Sequence, residues 1–580
     1  MMQVRQRGRN YNCTLCAMGN AHTARTAMLS RSSKPIAVNM MNQCQDIAGK
    51  MPSPDKANFR EDREAVESAV FRTILFPPGL EKARAERTDQ PGCFVDLNLD
   101  QVIAAAVAKR NEEALRPIFY STYRNEEVVQ YRQAVFADLE RPEVFQIFPP
   151  FCDAMRMVRA NLAYAEKISY KCHRHTVILR AIGLYCDAVA SLLRSLQSIT
   201  LRSTGLKSLQ AYLAGYTSSQ SFTRLAMETR DLRDALSKIS YGMLFRGDKV
   251  TVRKYASEPD YTVTILDRFA KFRETDIEPP IPPRPKDDFS LNHIEEGILE
   301  FVGRLFPEQF RQLKDYVARH SIFIDDVVTT FDREIGFFVA YLEFIEPLKR
   351  ASLPFCHPEV STSSKDTNVI ASFDLALAAK LVQEKGTVVC NDFYLTGVER
   401  LIVVSGPNQG GKTTFARMFG QLHFLAGLGC PVPGRHARLF LPDHVFTHFE
   451  REEDITNLRG KLEDDLVRLH QTCQAMTSNS VVVLNEIFNS TSLEDQIFLS
   501  TKILDQVLAI DAIGVCVTFI DALSRLGEKT VSMVSTVDPD DLARRTFEIM
   551  RKPADGLAYA LSLAEKHGVT YQRLRARVRP

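Results

Sequence analysis

The spacing of apolar positions changes along the chain, and the change divides it. Between about 95 and 275 apolar residues recur at helical intervals, with Ile178, Ile182, Tyr185, Val189, Leu192 and Leu196 forming one face. The same spacing predicts helices over about 100–115, 125–140, 150–168 and 222–240, whereas Val250 and Val252 alternate with charge inside 240–256 and predict short strands. A second helical run covers 290–350. There Val327, Phe331, Ile335, Phe338, Leu342 and Ile345 sustain a stripe over about five turns, enough for a core helix or for one that transmits movement. From about 365 short β-branched runs alternate with helical stretches, the mark of a parallel sheet with crossovers. Val388–Cys390, 401–405, Val481–Leu484 and Gly514–Ile520 read as strands, and 495–508 as a helix. Glu528–Val537 with Arg545–Met550 reads as a hairpin at the sheet edge, and a closing helix is expected over Leu557–Lys566.

Residues 1–90 show neither period. Their first 45 positions carry Arg5, Arg7, Arg9, Arg25, Arg31 and Lys34 without one acid, and a disordered extension is expected. Pro279–Pro285 is a stiff proline-rich spacer. The expected organisation is an extension over 1–90, a helical domain over 91–360 and an α/β domain over 361–580; 580 residues exceed what one core supports.

Composition narrows the function classes. Lys and Arg total 73 against 71 acids, so any nucleic-acid surface must be local. Lys171–His175 and Arg246–Lys254 are basic clusters of that kind, though such clusters are commonly solvated faces. No apolar run is read as a membrane span, and no membrane partner is expected. The 12 cysteines are scattered through apolar patterns, which suggests reduced thiols and a cytoplasmic setting. Cys13-x-x-Cys16 has only His22 and Cys44 nearby, at spacings that do not suit zinc.

The chemistry concentrates in one stretch. Strand 401–405 ends in Gly406-Pro407-Asn408-Gln409-Gly410-Gly411-Lys412-Thr413-Thr414, and a helix resumes with Phe415, Met418, Leu422 and Leu425. This is G-x-x-x-x-G-K-T between strand and helix, a phosphate loop (P-loop). Its glycines let backbone N–H groups turn onto an anion, and the helix N-terminus adds partial positive charge. Lys412 is then expected to reach the β- and γ-phosphates of ATP, and the Thr413 hydroxyl to ligand Mg²⁺. A phosphate loop needs a partner strand ending in a metal-side group and a carboxylate. Val481–Leu484 ends in Asn485-Glu486. Asn485 is expected to hold a metal-bound water through its amide oxygen, and Glu486 to orient and deprotonate the hydrolytic water.

Five segments in order resemble the MutS family of DNA mismatch-repair ATPases, relatives of the ABC ATPases. They are Gly406–Thr414, Cys430-Pro-Val-Pro-Gly434, Thr447–Asp454, Asn485-Glu-Ile-Phe-Asn-Ser-Thr-Ser492 and Gly556–Gly568. Asp96-Leu-Asn-Leu-Asp100, Tyr131–Gln133 and Asp138-Leu139 are similar to the family's core and lever. The resemblance implies an ABC-like P-loop ATPase domain behind a helical core/lever domain. It also implies a homodimer joined through the ATPase domains, and a DNA partner, mismatched or branched. On that analogy Ser490 and Thr491, with Asn489, reach the γ-phosphate held by the other protomer; the segment also reads as a helix N-cap, since Ser492 precedes Glu494 and Asp495, and the two roles are compatible because a helix N-terminus is itself an anion site.

Three positions depart from the family pattern: Asn485 stands where the family has Asp, Ser490 where it has Gly, and Phe519 where it has His. These should slow hydrolysis more than they weaken binding. Phe59-Arg-Glu61 and Phe272-Arg-Glu274 match the family's mismatch-wedge tripeptide, but 1–90 is too irregular to house the module around it. The expectation is a core-plus-ATPase member, an ATP-driven DNA clamp. The alternative is a nucleotide-gated scaffold with little hydrolysis; a small-molecule kinase fits the ordered motifs poorly.

Overall fold

The computed structural model describes residues 2–4, 71–80, 86–108, 110, 112–246, 249–256, 291–450, 460–538, 545–554 and 568–577. The expected spacer 279–285, the Cys13–Cys16 pair, both Phe-x-Glu tripeptides and the closing helix 557–566 lie outside these residues.

In chain order the helices are α1 (Leu99–Val107), α2 (Glu112–Tyr120), α3 (Glu126–Leu139), α4 (Pro142–Phe145), α5 (Phe148–Lys167), α6 (Lys171–Gln197), α7 (Thr204–Ser218) and α8 (Gln220–Ser237). They continue with α9 (His293–Leu305), α10 (Pro307–Arg319), α11 (Asp326–Arg350), α12 (Leu375–Gln383), α13 (Lys412–Leu428), α14 (Lys461–Ala475), α15 (Leu493–Ile510) and α16 (Tyr571–Arg577). Where 100–115 was expected as one helix, the chain turns between α1 and α2, and Arg110 in the turn reaches Glu343 of α11 at 2.6 Å. Helix α6 does have the length and hydropathy of a membrane span, contrary to the sequence reading; Ile182, Tyr185, Val189, Leu192 and Leu196 bury its apolar face, as in a core helix.

The chain forms two compact units, each discontinuous in sequence. The first comprises Met1–Val70, Ala154–Ser191 and Tyr212–Phe323. In it β1 (Met2–Val4), β2 (Tyr241–Arg246) and β3 (Lys249–Lys254) form an antiparallel sheet. Ile239, Met243, Ile298 and Val302 make a small core beside it. His173, from the basic cluster at 171–175, is buried with Nδ1 2.8 Å from a Glu296 carboxylate oxygen, so that ring is not available to a phosphate.

The second unit comprises Phe71–Asp153, Leu192–Ala211 and Ile324–Pro580, so the expected boundary at 360/361 falls inside it. Its strands are β4 (Phe355–Cys356), β5 (Glu359–Ser361), β6 (Thr367–Ser372), β7 (Asn391–Leu395), β8 (Leu401–Ser405), β9 (Val432–Pro433), β10 (His436–Phe440), β11 (Val445–Phe449), β12 (Val481–Asn485), β13 (Ile513–Val517), β14 (Thr530–Val537) and β15 (Arg545–Arg551). Six of them form one sheet in the order β11-β12-β13-β8-β14-β15. All neighbours are parallel except the edge hairpin β14–β15, the arrangement the alternating pattern predicts. Strands β8, β12 and β13 are buried along their whole length, as β-branched runs between two helical layers must be.

Two further expectations fail. The strand expected at Val388–Cys390 is instead Asn391–Leu395: Phe393 and Leu395 face inward, and the Asn391 side chain accepts from Ile549 N at 2.7 Å. Part of the expected disordered extension is packed. Phe71, Ile74, Leu75 and Phe76 are buried, and the Glu334 carboxylate of α11 accepts from Thr73 Oγ1 and Ile74 N at 2.8 and 2.9 Å.

Candidate functional site

The site is built where β8 and β12 end and α13 begins. Strand β8 stops at Ser405, and the chain turns through Gly406 (φ 120°) and Gly411 (φ 89°), conformations that a side chain would strain. A Cβ at Gly410 would lie 2.2 Å from Ser535 Oγ, and one at Gly406 3.0 Å from Ser535 O, so the loop closes tightly on β14. Ser535 Oγ donates to Gly410 O at 2.6 Å, and Arg545 Nε of β15 donates to Asn408 O at 3.1 Å. The hairpin that sequence reasoning read only as a sheet edge therefore braces the loop; nothing in its alternation marked Ser535 or Arg545.

Helix α13 starts at Lys412 with no side chain capping it and no acid in its first turn. The N–H groups of that turn lie at the positive end of the helix dipole, facing the glycine-rich loop. Lys412 is 4% exposed. Its ammonium donates to Gly406 O (2.8 Å) and Pro407 O (3.2 Å) and lies 4.0 Å from the centre of the Phe519 ring. Burial pushes its pKa from 10.5 down to about 8; the Glu486 charge opposes that shift and Arg545 adds to it. Its position is that of a cation lacking a bonded anion, which suits a phosphate.

Thr413 Oγ1 donates to Asn485 Oδ1 at 3.0 Å, tying the loop to the end of β12. Glu486 follows with its N–H on Val517 O at 2.9 Å and φ at 54°. Gln409 and Phe488 are also left-handed, at 59° each, so three strained non-glycine residues lie in the loop and the strand-end turn. Asn489 Nδ2 donates to Glu486 Oε2 (3.2 Å), and Gln496 Nε2 to Asn489 Oδ1 (2.7 Å), which fixes the carboxylate from α15.

Thus Gly406–Thr414, Asn485 and Glu486 come together in one crevice. Ser490 and Thr491, expected to serve the nucleotide of the other protomer, make no hydrogen bond to this chain's own loop: Ser490 is exposed, and Thr491 Oγ1 lies 3.5 Å from Asp495 Oδ2. Ser492 caps α15, its Oγ accepting from Asp495 N at 3.2 Å, as the capping reading expects. Among the described residues no group of three His, Cys, Asp or Glu could hold a metal ion, so a metal here would rest on the neutral oxygens of Thr413 and Asn485.

Comparison with known proteins places this crevice. Residues 402–569 match the family model MutS domain V. The DNA mismatch repair protein MutS of Halalkalibacterium halodurans is 26% identical over 213 residues, 37% of this chain and 23% of that protein. That of Prochlorococcus marinus is 28% identical over 193 residues, 32% of this chain and 20% of the relative. That of an Exiguobacterium species is 32% identical over 114 residues, 20% and 14%. The matched part thus spans less than a quarter of each of these relatives. Both halves of the crevice, the loop at Gly406–Thr414 and the strand end at Asn485–Glu486, fall inside the domain V match. Over residues 402–569 the chain is similar to MutS domain V, and the relatives it matches are DNA mismatch repair MutS proteins.

Proposed function

We propose that the chain is a P-loop ATPase that works on DNA as a homodimeric clamp. The observation that carries this reading is the Thr413–Asn485 hydrogen bond, which brings the glycine-rich loop, the uncapped start of α13 and the Glu486 carboxylate to one crevice. ATP phosphates enter over the loop, and the Lys412 ammonium leaves the Gly406 and Pro407 carbonyls for the β- and γ-oxygens. Thr413 would hold Mg²⁺ through its hydroxyl and Asn485 would hold a water of that ion through its amide oxygen; the ion would supply charge neutralisation at the phosphates. Glu486, held by Asn489, orients a water and takes its proton. The long helices upstream act as levers that carry closure of two such domains to the DNA. Binding then depends on phosphate contacts and duplex shape.

The test is nucleotide binding and ATP turnover, with plain, mismatched and branched duplexes. Lys412→Ala should lose nucleotide binding by about a hundredfold, a charge-assisted contact of about 3 kcal/mol. Glu486→Gln should keep binding and lose turnover by about 10²–10³-fold. Turnover that DNA does not change, or that survives Glu486→Gln, would overturn the reading. A second reading, a nucleotide-gated scaffold with little hydrolysis, is favoured by the neutral Asn485 and by the Phe519 ring over Lys412. It predicts ATP binding without turnover and no DNA retention at low salt.

A further inference from the structure

The Lys412 ammonium has three hydrogens to give. The Gly406 and Pro407 carbonyls take two, at 2.8 and 3.2 Å, and the face of the Phe519 ring, its centre 4.0 Å away, is there for the third. Such a contact is electrostatic: the negative face of the ring holds the cation, most strongly where water is kept out, and Lys412 is buried. The same negative face repels a phosphate, so an anion cannot settle against the ammonium where the ring lies.

The backbone on both sides of Phe519 is fixed. Thr518 N donates to Val404 O of β8 at 3.0 Å, Ile520 N donates to Thr518 Oγ1 at 3.0 Å, and Thr518 and Ile520 are both buried. Phe519 itself is 48% exposed. A rotation about its χ1 therefore takes the ring from Lys412 into water without moving β13.

Sheet order says what the ring stands in the way of. Strand β13 lies between β8 and β12, so its end carries Phe519 in between the loop that follows β8 and the Glu486 that follows β12. The two strand ends are tied there, Glu486 N donating to Val517 O at 2.9 Å. On the nucleotide reading above, a terminal phosphate that touches Lys412 and is attacked by a water on Glu486 has to sit between those two side chains, where the ring now is. A diphosphate ends one phosphate short. It can rest on the N–H groups of the loop and draw Lys412 from a carbonyl while the ring stays.

We propose that Phe519 is a specificity-determining residue of this site: its ring holds the Lys412 ammonium in the place of the terminal phosphate, so the chain favours a nucleoside diphosphate and admits a triphosphate only by expelling the ring. The proposal rests on the nucleotide reading and adds to it which nucleotide the resting site prefers and which side chain sets the preference.

The test is equilibrium binding to the full chain, with ADP and a non-hydrolysable ATP analogue each displacing a fluorescent ADP in excess Mg²⁺, so that turnover does not enter. The native chain should hold ADP about tenfold more tightly than the analogue, and Phe519→Ala should abolish that preference by tightening the analogue while leaving ADP within about twofold. Phe519→Leu keeps apolar bulk at the position and lacks the ring face, so it should lose the preference as well, and it decides the matter should the alanine variant fail to fold. Equal binding of the two nucleotides by the native chain, or the native ratio persisting in either folded variant, would overturn the role of the ring and leave the nucleotide reading standing. No binding of the fluorescent ADP or of the analogue by native chain or variant would overturn the nucleotide reading itself, and this proposal with it.

Discussion

A lysine 4% exposed, with two carbonyls and an aromatic ring as its nearest partners, is costly to keep charged. The fall in its pKa from 10.5 to about 8 corresponds to about 3 kcal/mol. Between those values the unfolded chain holds a proton that the folded one has lost, so stability rises with pH there, and the full penalty is present below about 8. The nucleotide-free protein should therefore gain on a Lys412→Met variant as pH is raised from 8 to 10, read by denaturant unfolding. Nucleotide affinity should run the other way and fall above about pH 8, as the ammonium that meets the phosphates is discharged. Phe519→Ala opens the group to water, so the fall in affinity should move to higher pH; an unmoved pH profile would show that the ring does not govern it. Asn485 lends a different contrast. Asn485→Asp keeps an acceptor for Thr413 and adds a charge, so Mg²⁺-dependent nucleotide binding should tighten by about tenfold in a metal titration. The buried charge should lower the metal-free melting temperature.

At the scale of elements, buried side chains that serve two elements at once hold the second unit together. Arg132 of α3 is 1% exposed; it donates to Leu75 O (3.0 Å) and Leu428 O (3.1 Å), and the Phe76 and Tyr123 rings flank it at 5.1 and 4.7 Å. One ammonium cannot reproduce that fork, so Arg132→Lys should cost about 2–4 kcal/mol in chemical unfolding. Asp511 ends α15 in a left-handed cap and takes Lys365, Arg400 and Lys529. Burial raises its pKa, but those three hydrogen-bonded cations outweigh it and hold the carboxyl well below its usual range. Its contribution is present above pH 4 and lost as pH falls toward the depressed value. Being about a third exposed, Asp511→Asn should cost only about 1 kcal/mol at pH 7, and the difference should vanish in acid. The contrast shows what was legible in the sequence. Gly406–Thr414 was, because its conformations restrict the residues allowed; β8, β12 and β13 were, because both faces are covered and must be apolar. Arg132, Ser535 and the packed turn at Phe71–Phe76 were not: each is defined by partners far along the chain, which leave no local period.

At the scale of the whole molecule, the second unit sets where the chain can be cut. Helix α11 has Ile335, Phe337, Phe338, Val339, Ala340 and Tyr341 all at 0% exposure, so it is enclosed on every side rather than along one stripe. Tyr341 OH donates to Pro431 O at 2.6 Å, and burial holds its phenol well above the usual value. Helix α13, which carries Lys412 at its start, is gripped further along: Gln421 Nε2 donates to Leu97 O (2.8 Å), Arg417 Nε donates to Asp96 O (3.0 Å), and Phe424 meets the Phe94 ring at 5.0 Å. These partners lie before residue 361. A fragment of 361–580 keeps every loop and strand-end residue of the crevice yet exposes the faces that α1, α3 and α11 cover, each fully buried side chain forfeiting about 1.5–3 kcal/mol. It should show no cooperative thermal transition and no nucleotide binding, whereas 71–580 should show both. Were 361–580 to melt cooperatively and bind nucleotide like the longer piece, the helices before it would be ballast, and no movement of the nucleotide domain would need to reach them. If it does neither, the crevice exists only because those helices hold α13 in place, and a change at Lys412 is felt by them through the same contacts.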